Sequence, residues 1–281
     1  MPNTLDADHE QGYRLPARCR SRYDLRGYRM KRLRPGALAL GLVFATLCTA
    51  ATADAGALPH FGRVTCHHGN VKSGVYRSLR IAGACTVPTG ARVKVMNNVL
   101  VKRHAVLNQV TQSTLNVHGN VFVRPHAIIG LGCNDEVGCS LSTHDHIGGD
   151  LIAFRAKAVV DEQEVIGGNV IITGGGGSMD CSSTALFGGP YFSTIHDSVV
   201  GGKVLFRHVH SCWFGLIRTQ VGGNVRIVGN RMGDPDAMEI ITNTIGGNLS
   251  CFDNVPHAQI GDSGGLPNVV GGQKRGECRH L

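Results

Sequence analysis

Large aromatic side chains are scarce in this 281-residue chain: nine Phe, five Tyr and one Trp. A core must therefore come mainly from Val, Ile and Leu, and the lone Trp213 reads first as a core residue beside Cys212 rather than as an exposed platform for a sugar ring. Helical patterning is also missing. Apolar residues do not recur at the 3.6-residue spacing of an amphipathic helix, and the 39 Gly are spread densely, which disfavours helices. No stretch approaches the ~20 apolar residues that span a membrane. No C-x-x-C pair is present, which removes the usual spacing of thiolate zinc ligands.

One shorter apolar run does occur. Lys31, Arg32 and Arg34 precede an apolar stretch from Ala37 to Ala50, and Ala53-Asp54-Ala55 follows. A basic start, a short apolar middle and a small-residue site are the parts of a secretory signal. Cys48 follows Thr46-Leu47, without the small residue that lipid anchoring uses, so a free secreted or cell-surface protein is expected. Residues 1–29 read as an unstructured upstream extension with Met30 as the true start, 30–55 as the signal, 56–89 as an N-terminal cap and 90–281 as a repeat domain.

Trimming to Gly56 changes the charge. The remaining 226 residues hold 19 Lys and Arg against 15 Asp and Glu, a net charge of +4. Read as scattered charge, this excludes a nucleic-acid footprint. Ten cysteines become eight, an even number that in an exported chain predicts disulfides.

A short phrase recurs. It appears as His118-Gly-Asn-Val-Phe-Val123, Ile147-Gly-Gly-Asp-Leu151, Ile166-Gly-Gly-Asn-Val170, Val200-Gly-Gly-Lys-Val204, Val221-Gly-Gly-Asn-Val225 and Ile245-Gly-Gly-Asn-Leu249. The residue after the glycines falls at 98, 120, 150, 169, 203, 224, 248 and 273, and five of the seven intervals lie between 19 and 25 residues. A fixed short period is the mark of stacked repeats, and propeller blades need nearly twice this length. Within each phrase the apolar residues alternate, as in a strand. The expected fold is all-β: a single-stranded parallel β-helix, or β-solenoid, of about eight coils. The glycines allow stacked backbones to approach closely. Two long intervals, holding Leu131–His146 and Gly174–Pro190, read as disulfide-pinned loops. Because sequence neighbours then lie on the same or adjacent rungs, the expected pairs are Cys66–Cys85, Cys133–Cys139, Cys181–Cys212 and Cys251–Cys278.

The phrases Ala82-Gly-Ala-Cys-Thr-Val-Pro88, Cys212-Trp-Phe-Gly215, Met232-Gly-Asp-Pro-Asp-Ala-Met-Glu239 and Asn243-Thr-Ile-Gly-Gly-Asn-Leu-Ser-Cys251 resemble those of a group of uncharacterised secreted actinobacterial proteins of parallel β-helix type. The resemblance covers nearly all of 56–281. The repeats are also distantly similar to those of bactofilins, which are cytoplasmic and lack these cysteines. Neither resemblance implies a catalytic residue.

Gly261-Asp-Ser-Gly-Gly265 matches the string around the nucleophilic serine of trypsin-like proteases, which makes Ser263 a candidate. The T-A-A-H-C context of that family's base is absent, and a serine without a base is only a hydroxyl. The string instead sits in the corner that precedes each glycine pair, made longer by turn-forming residues. Asp234, Asp236, Glu239 and Asp262, with Arg218 one coil away, are the candidates for a carbohydrate-active enzyme, polysaccharide lyase or hydrolase, because hydrolysis uses two carboxyl groups ~5–10 Å apart. The competing expectation for Asp234-Pro-Asp236 is a solvated corner. His208 and His210, and His144 and His146 around Asp145, share a strand face if they lie in strands and are then half of a metal site. The bland expectation for both pairs is surface histidine. The favoured reading is an exported structural or binding protein without assigned catalysis or cofactor, with a cell-wall or extracellular glycan, or a second copy of itself, as partner.

Overall fold

A computed structural model describes residues 62–134, 138–140, 142–143 and 145–281. The signal segment, the start of the expected cap and His144 lie outside the described residues. All the described residues fall in one compact unit.

The chain is all-β, with every pairing between named strands parallel. One sheet has ten strands, from Arg63–Cys66 to Lys274–Gly276; a second has eight, from Gly69–Asn70 to Glu239–Ile241; a third has nine, from Gly74–Tyr76 to Val269–Val270. Successive strands visit the three sheets in rotation, so each sheet lists its strands in chain order. The segment expected to be a cap, 56–89, contributes strands to all three sheets. Two short strands, His210–Ser211 and Arg231–Met232, form a small extra sheet.

Alternation sets the core. In the first sheet Val99, Val121, Leu151, Val170, Val204, Val225 and Leu249 align across strands and are buried. One apolar cluster draws on all three sheets. The recurrent Gly-Gly-Asn explains how the strands stay in register. A Cβ on Gly148, Gly167, Gly246 or Gly271 would stand 2.5–2.6 Å from a carbonyl oxygen of the preceding copy of the phrase, so only glycine fits. The next residue forms a ladder. The Asn120 N–H donates to Asn98 Oδ1 at 2.8 Å, the Asp150 N–H to Asn120 Oδ1 at 2.7 Å and the Asn169 N–H to Asp150 Oδ1 at 2.7 Å. The same bond recurs from Lys203 to Asn169 and from Asn248 to Asn224. A second, buried ladder runs from Thr219 to Asn243 to Asn268.

Cysteines lie at disulfide distance in four neighbouring pairs, Cys66–Cys85, Cys133–Cys139, Cys181–Cys212 and Cys251–Cys278, with Cα–Cα separations of 5.1–6.3 Å. The charge is not scattered. Gly56 to Asn134 contains nine Lys and Arg and no Asp or Glu; 135–281 contains ten against fifteen. Because each sheet follows chain order, this puts the acid-free stretch at one end of the sheets.

Candidate functional site

The long loops fold over the outer face of the second sheet. Leu186, in the excursion after the first-sheet strand Val170–Thr173, packs on Ala158 and Val160. Asn134, in the other long loop, donates to Glu162 Oε2 at 3.1 Å. The 260–265 stretch reaches the same face, where the Ser263 hydroxyl donates to Glu239 Oε2. On this face lies a groove of about 320 Å³, lined mainly by strand residues and by Ser263.

Alternation explains who lines it. Phe192, Thr194 and His196 are every second residue of one strand, and Trp213, Gly215 and Ile217 are their register partners on the next. Phe192 and Trp213 meet edge to face, centroids 5.9 Å apart. A Cβ on Gly215 would lie 2.5 Å from Trp213 Cη2, so the indole lies along the sheet over a residue that must have no side chain.

The polar lining is paired. His196 Nδ1 is 3.0 Å from Glu162 Oε2. Asp197 and Arg218 occupy equivalent left-handed corners, φ 51° and 48°, which aims their side chains together. Arg218 Nε donates to Asp197 Oδ1 at 2.7 Å and Nη2 to Oδ2 at 3.0 Å. This fork geometry fixes both groups.

The expected carboxylate set is divided. Carboxylate oxygens of Asp236, Glu239 and Asp262 come within 4.8 Å of one another. Burial holds the Glu239 carboxyl above its usual range; Asp262 adds to this and the Ser263 hydroxyl opposes it. Asp234 does not join them. Its Oδ1 accepts the Asp236 N–H at 3.0 Å, a local turn, and it lies beside Cys181 and Cys212, whose sulfurs are already spent on each other. Arg218 is paired with Asp197. Three oxygen donors suit a hard cation, but the buried member is already engaged by Ser263.

Ser263 lines the groove with His196, yet its hydroxyl bonds a carboxylate rather than an imidazole, which is not the arrangement of an activated serine. His208 and His210 are not strand neighbours on one face. His208 sits in a left-handed corner, φ 54°, over Gly229, and the turn breaks the alternation on which their pairing rested. Both are exposed. In the other histidine set Asp145 is buried, taking bonds from Gln109 Nε2 and the Leu115 N–H, and His146 is exposed.

Glu162 and His196 in the groove, and Asp197 that holds Arg218, were not singled out from the sequence. Asp161-Glu-Gln-Glu164 has the composition of a solvated corner, yet Asp161, Glu162 and Glu164 are all buried. The corner aligned with it, Ile195-His-Asp-Ser198, is also richer in titratable groups than the later Ile217-Arg-Thr-Gln220 and Ile241-Thr-Asn-Thr244. No family model, curated protein or solved structure matches the chain.

Proposed function

We propose that this chain is an exported, disulfide-stapled β-solenoid that binds a glycan strand in the groove of the second sheet. The observation that carries the reading is the indole of Trp213, spread over Gly215 and backed by Phe192, beside donors on Arg218 and His196 and an acceptor on Glu162, with Arg218 fixed by Asp197 behind it. A flat apolar surface rimmed by fixed donors and acceptors suits a sugar ring, which presents C–H faces and hydroxyl edges.

The solenoid reading is supported by the rotation of the chain through three parallel sheets, with eight complete visits matching the eight strands of the second sheet. Export is supported by the four cysteine pairs at disulfide distance, which suit an oxidising compartment. Among the described residues no helix is long and apolar enough to cross a membrane. We also propose kinship with the secreted actinobacterial repeat proteins, on the phrases given above.

The test is a glycan array probed with the full chain and with Trp213→Ala and Gly215→Ala. The wild type is expected to select one glycan class, and each variant to bind about tenfold less or weaker, as when an aromatic anchor is removed. Equal binding by all three proteins would sink the reading. A second reading, a carbohydrate-active enzyme, is favoured by the convergence of Asp236, Glu239 and Asp262 and by the raised Glu239 carboxyl, a property of general acids. Its signature would be release of reducing ends from the bound glycan, abolished by Glu239→Gln.

A further inference from the structure

The acid-free end of the molecule carries a second surface, separate from the groove. In the first sheet, Arg80 faces outward and its register partners on the next two strands are Leu100 and Phe122. Arg63 and Arg124 stand at either side. Together they line a depression of about 370 Å³ with Leu100 and Phe122, both half-buried, in its floor. Arg63, Arg80 and Arg124 are exposed. Strands in a sheet are about 4.8 Å apart, so Arg80 and Arg124 are separated by roughly 10 Å along the stack.

The positive field continues around the adjoining corner. His104 and His126 stack at 5.1 Å with their planes 9° apart. Arg103 donates to His104 at 3.1 Å, and Arg155 occupies the next corner. His126 is held below the ordinary imidazole pKa, first by partial burial and then by His104, Arg103, Arg155 and Lys157. Among the described residues, ion pairs use Glu162, Asp197 and Glu277, and none of these cations takes part. The ten strands of the first sheet hold six Lys and Arg and no Asp or Glu. Unpaired guanidinium groups on a sheet without acids cost repulsion with no internal compensation, which an anionic partner would supply.

We propose that this face binds an acidic polysaccharide, with Arg63, Arg80 and Arg124 pairing with its carboxylates while Leu100 and Phe122 underlie its sugar rings. The planar guanidinium matches a carboxylate in bidentate geometry. Three features favour a polysaccharide over other polyanions. No helix among the described residues of this end can enter a duplex groove. No row of exposed aromatics offers platforms for bases. Over 62–134 Met96 is the one exposed large apolar side chain, which leaves little to insert into a lipid surface.

The experiment is affinity electrophoresis of the full chain through gels containing polygalacturonate, with dextran, single-stranded and duplex DNA, and anionic phospholipid vesicles as separate arms. Polygalacturonate should retard the protein most at matched salt. Retardation should weaken with salt, and Arg80→Gln with Arg124→Gln should lower affinity about tenfold and flatten the salt dependence by about two counterions. Lys274→Gln with Arg275→Gln, at the far end of the same sheet, should change little and controls for net charge. Trp213→Ala should also bind polygalacturonate normally, which separates this surface from the groove. Equal loss in the two double variants, loss in Trp213→Ala, stronger retardation by DNA or vesicles, or no retardation by polygalacturonate would each overturn the proposal.

Discussion

Asp161 occupies a register column that is otherwise apolar, between Leu131 and Ile195. It is fully buried, and neither carboxylate oxygen completes a hydrogen bond. The Ser198 hydroxyl pulls its pKa down but is engaged by the His196 carbonyl at 2.8 Å, and burial and Glu162 win, raising the carboxyl well above its usual range. Glu164 is raised likewise, first by burial and then by Asp145 and Asp161. The native state therefore holds protons that the unfolded chain releases. Stability is fully present below the unfolded carboxylate pKa, about 4, and falls as pH rises toward the folded values. Asp161→Asn removes this cost. It is expected to raise stability at neutral pH by about 1–3 kcal/mol and to flatten the decline, as measured by urea denaturation across the acid-to-neutral range. A neutral or destabilising result would refute this account. None of this was legible from the residues: Asp161 shares the inward column of Leu131 and Ile195, both in the apolar core, and the acidic composition of Asp161-Glu-Gln-Glu164 hid that placement.

Single strands here are two to five residues long, too short to hold their own register. The glycine pair and the residue after it supply what the strands lack. A methyl group on Gly167 would press on the Gly148 carbonyl oxygen at 2.6 Å, and backbone cannot rotate away as a side chain can. Gly167→Ala should cost roughly 1–3 kcal/mol, as overpacking does, while Gly62→Ala, with nothing within 4 Å, should cost nothing measurable in the same thermal melt. This close approach was readable from the recurrence of the phrase, as were the strand faces and the pairing of cysteines with their neighbours. The corners were less so. His104, His126, Arg155, Asp197, His208 and Arg218 all adopt left-handed backbone, a role usually given to glycine. That conformation set Arg218 beside Asp197, and split His208 from His210.

Across the whole molecule, two of the four cysteine pairs fall at the ends of the sheets. Cys66–Cys85 ties the first strands, Cys251–Cys278 ties the last first-sheet strands to the terminal turn at Glu277–His280, and the other two pin the long loops. An end strand of a sheet has one neighbour rather than two, so it opens most easily. Cys251→Ser with Cys278→Ser should speed hydrogen exchange in Leu249–Phe252 and Lys274–Gly276 while leaving Val170–Thr173 protected; uniform acceleration would mean the stack opens as one unit. The division of charge was missed at this scale because a net charge of +4 averages an acid-free end against an acid-rich remainder. Only the order of strands in the sheets turns a run of sequence into a place on the surface.

The glycine fitted beneath each carbonyl also constrains heredity. Losing one residue within a strand would carry every later glycine out from under its oxygen, whereas gaining or losing a whole 19- to 25-residue unit would leave each remaining contact as it was. Change by single residues is left to the excursions at 131–146 and 174–190 and to the 260–265 stretch. The last of these supplies Ser263 to the groove, so descendants of this chain can vary what it holds without disturbing what holds it up.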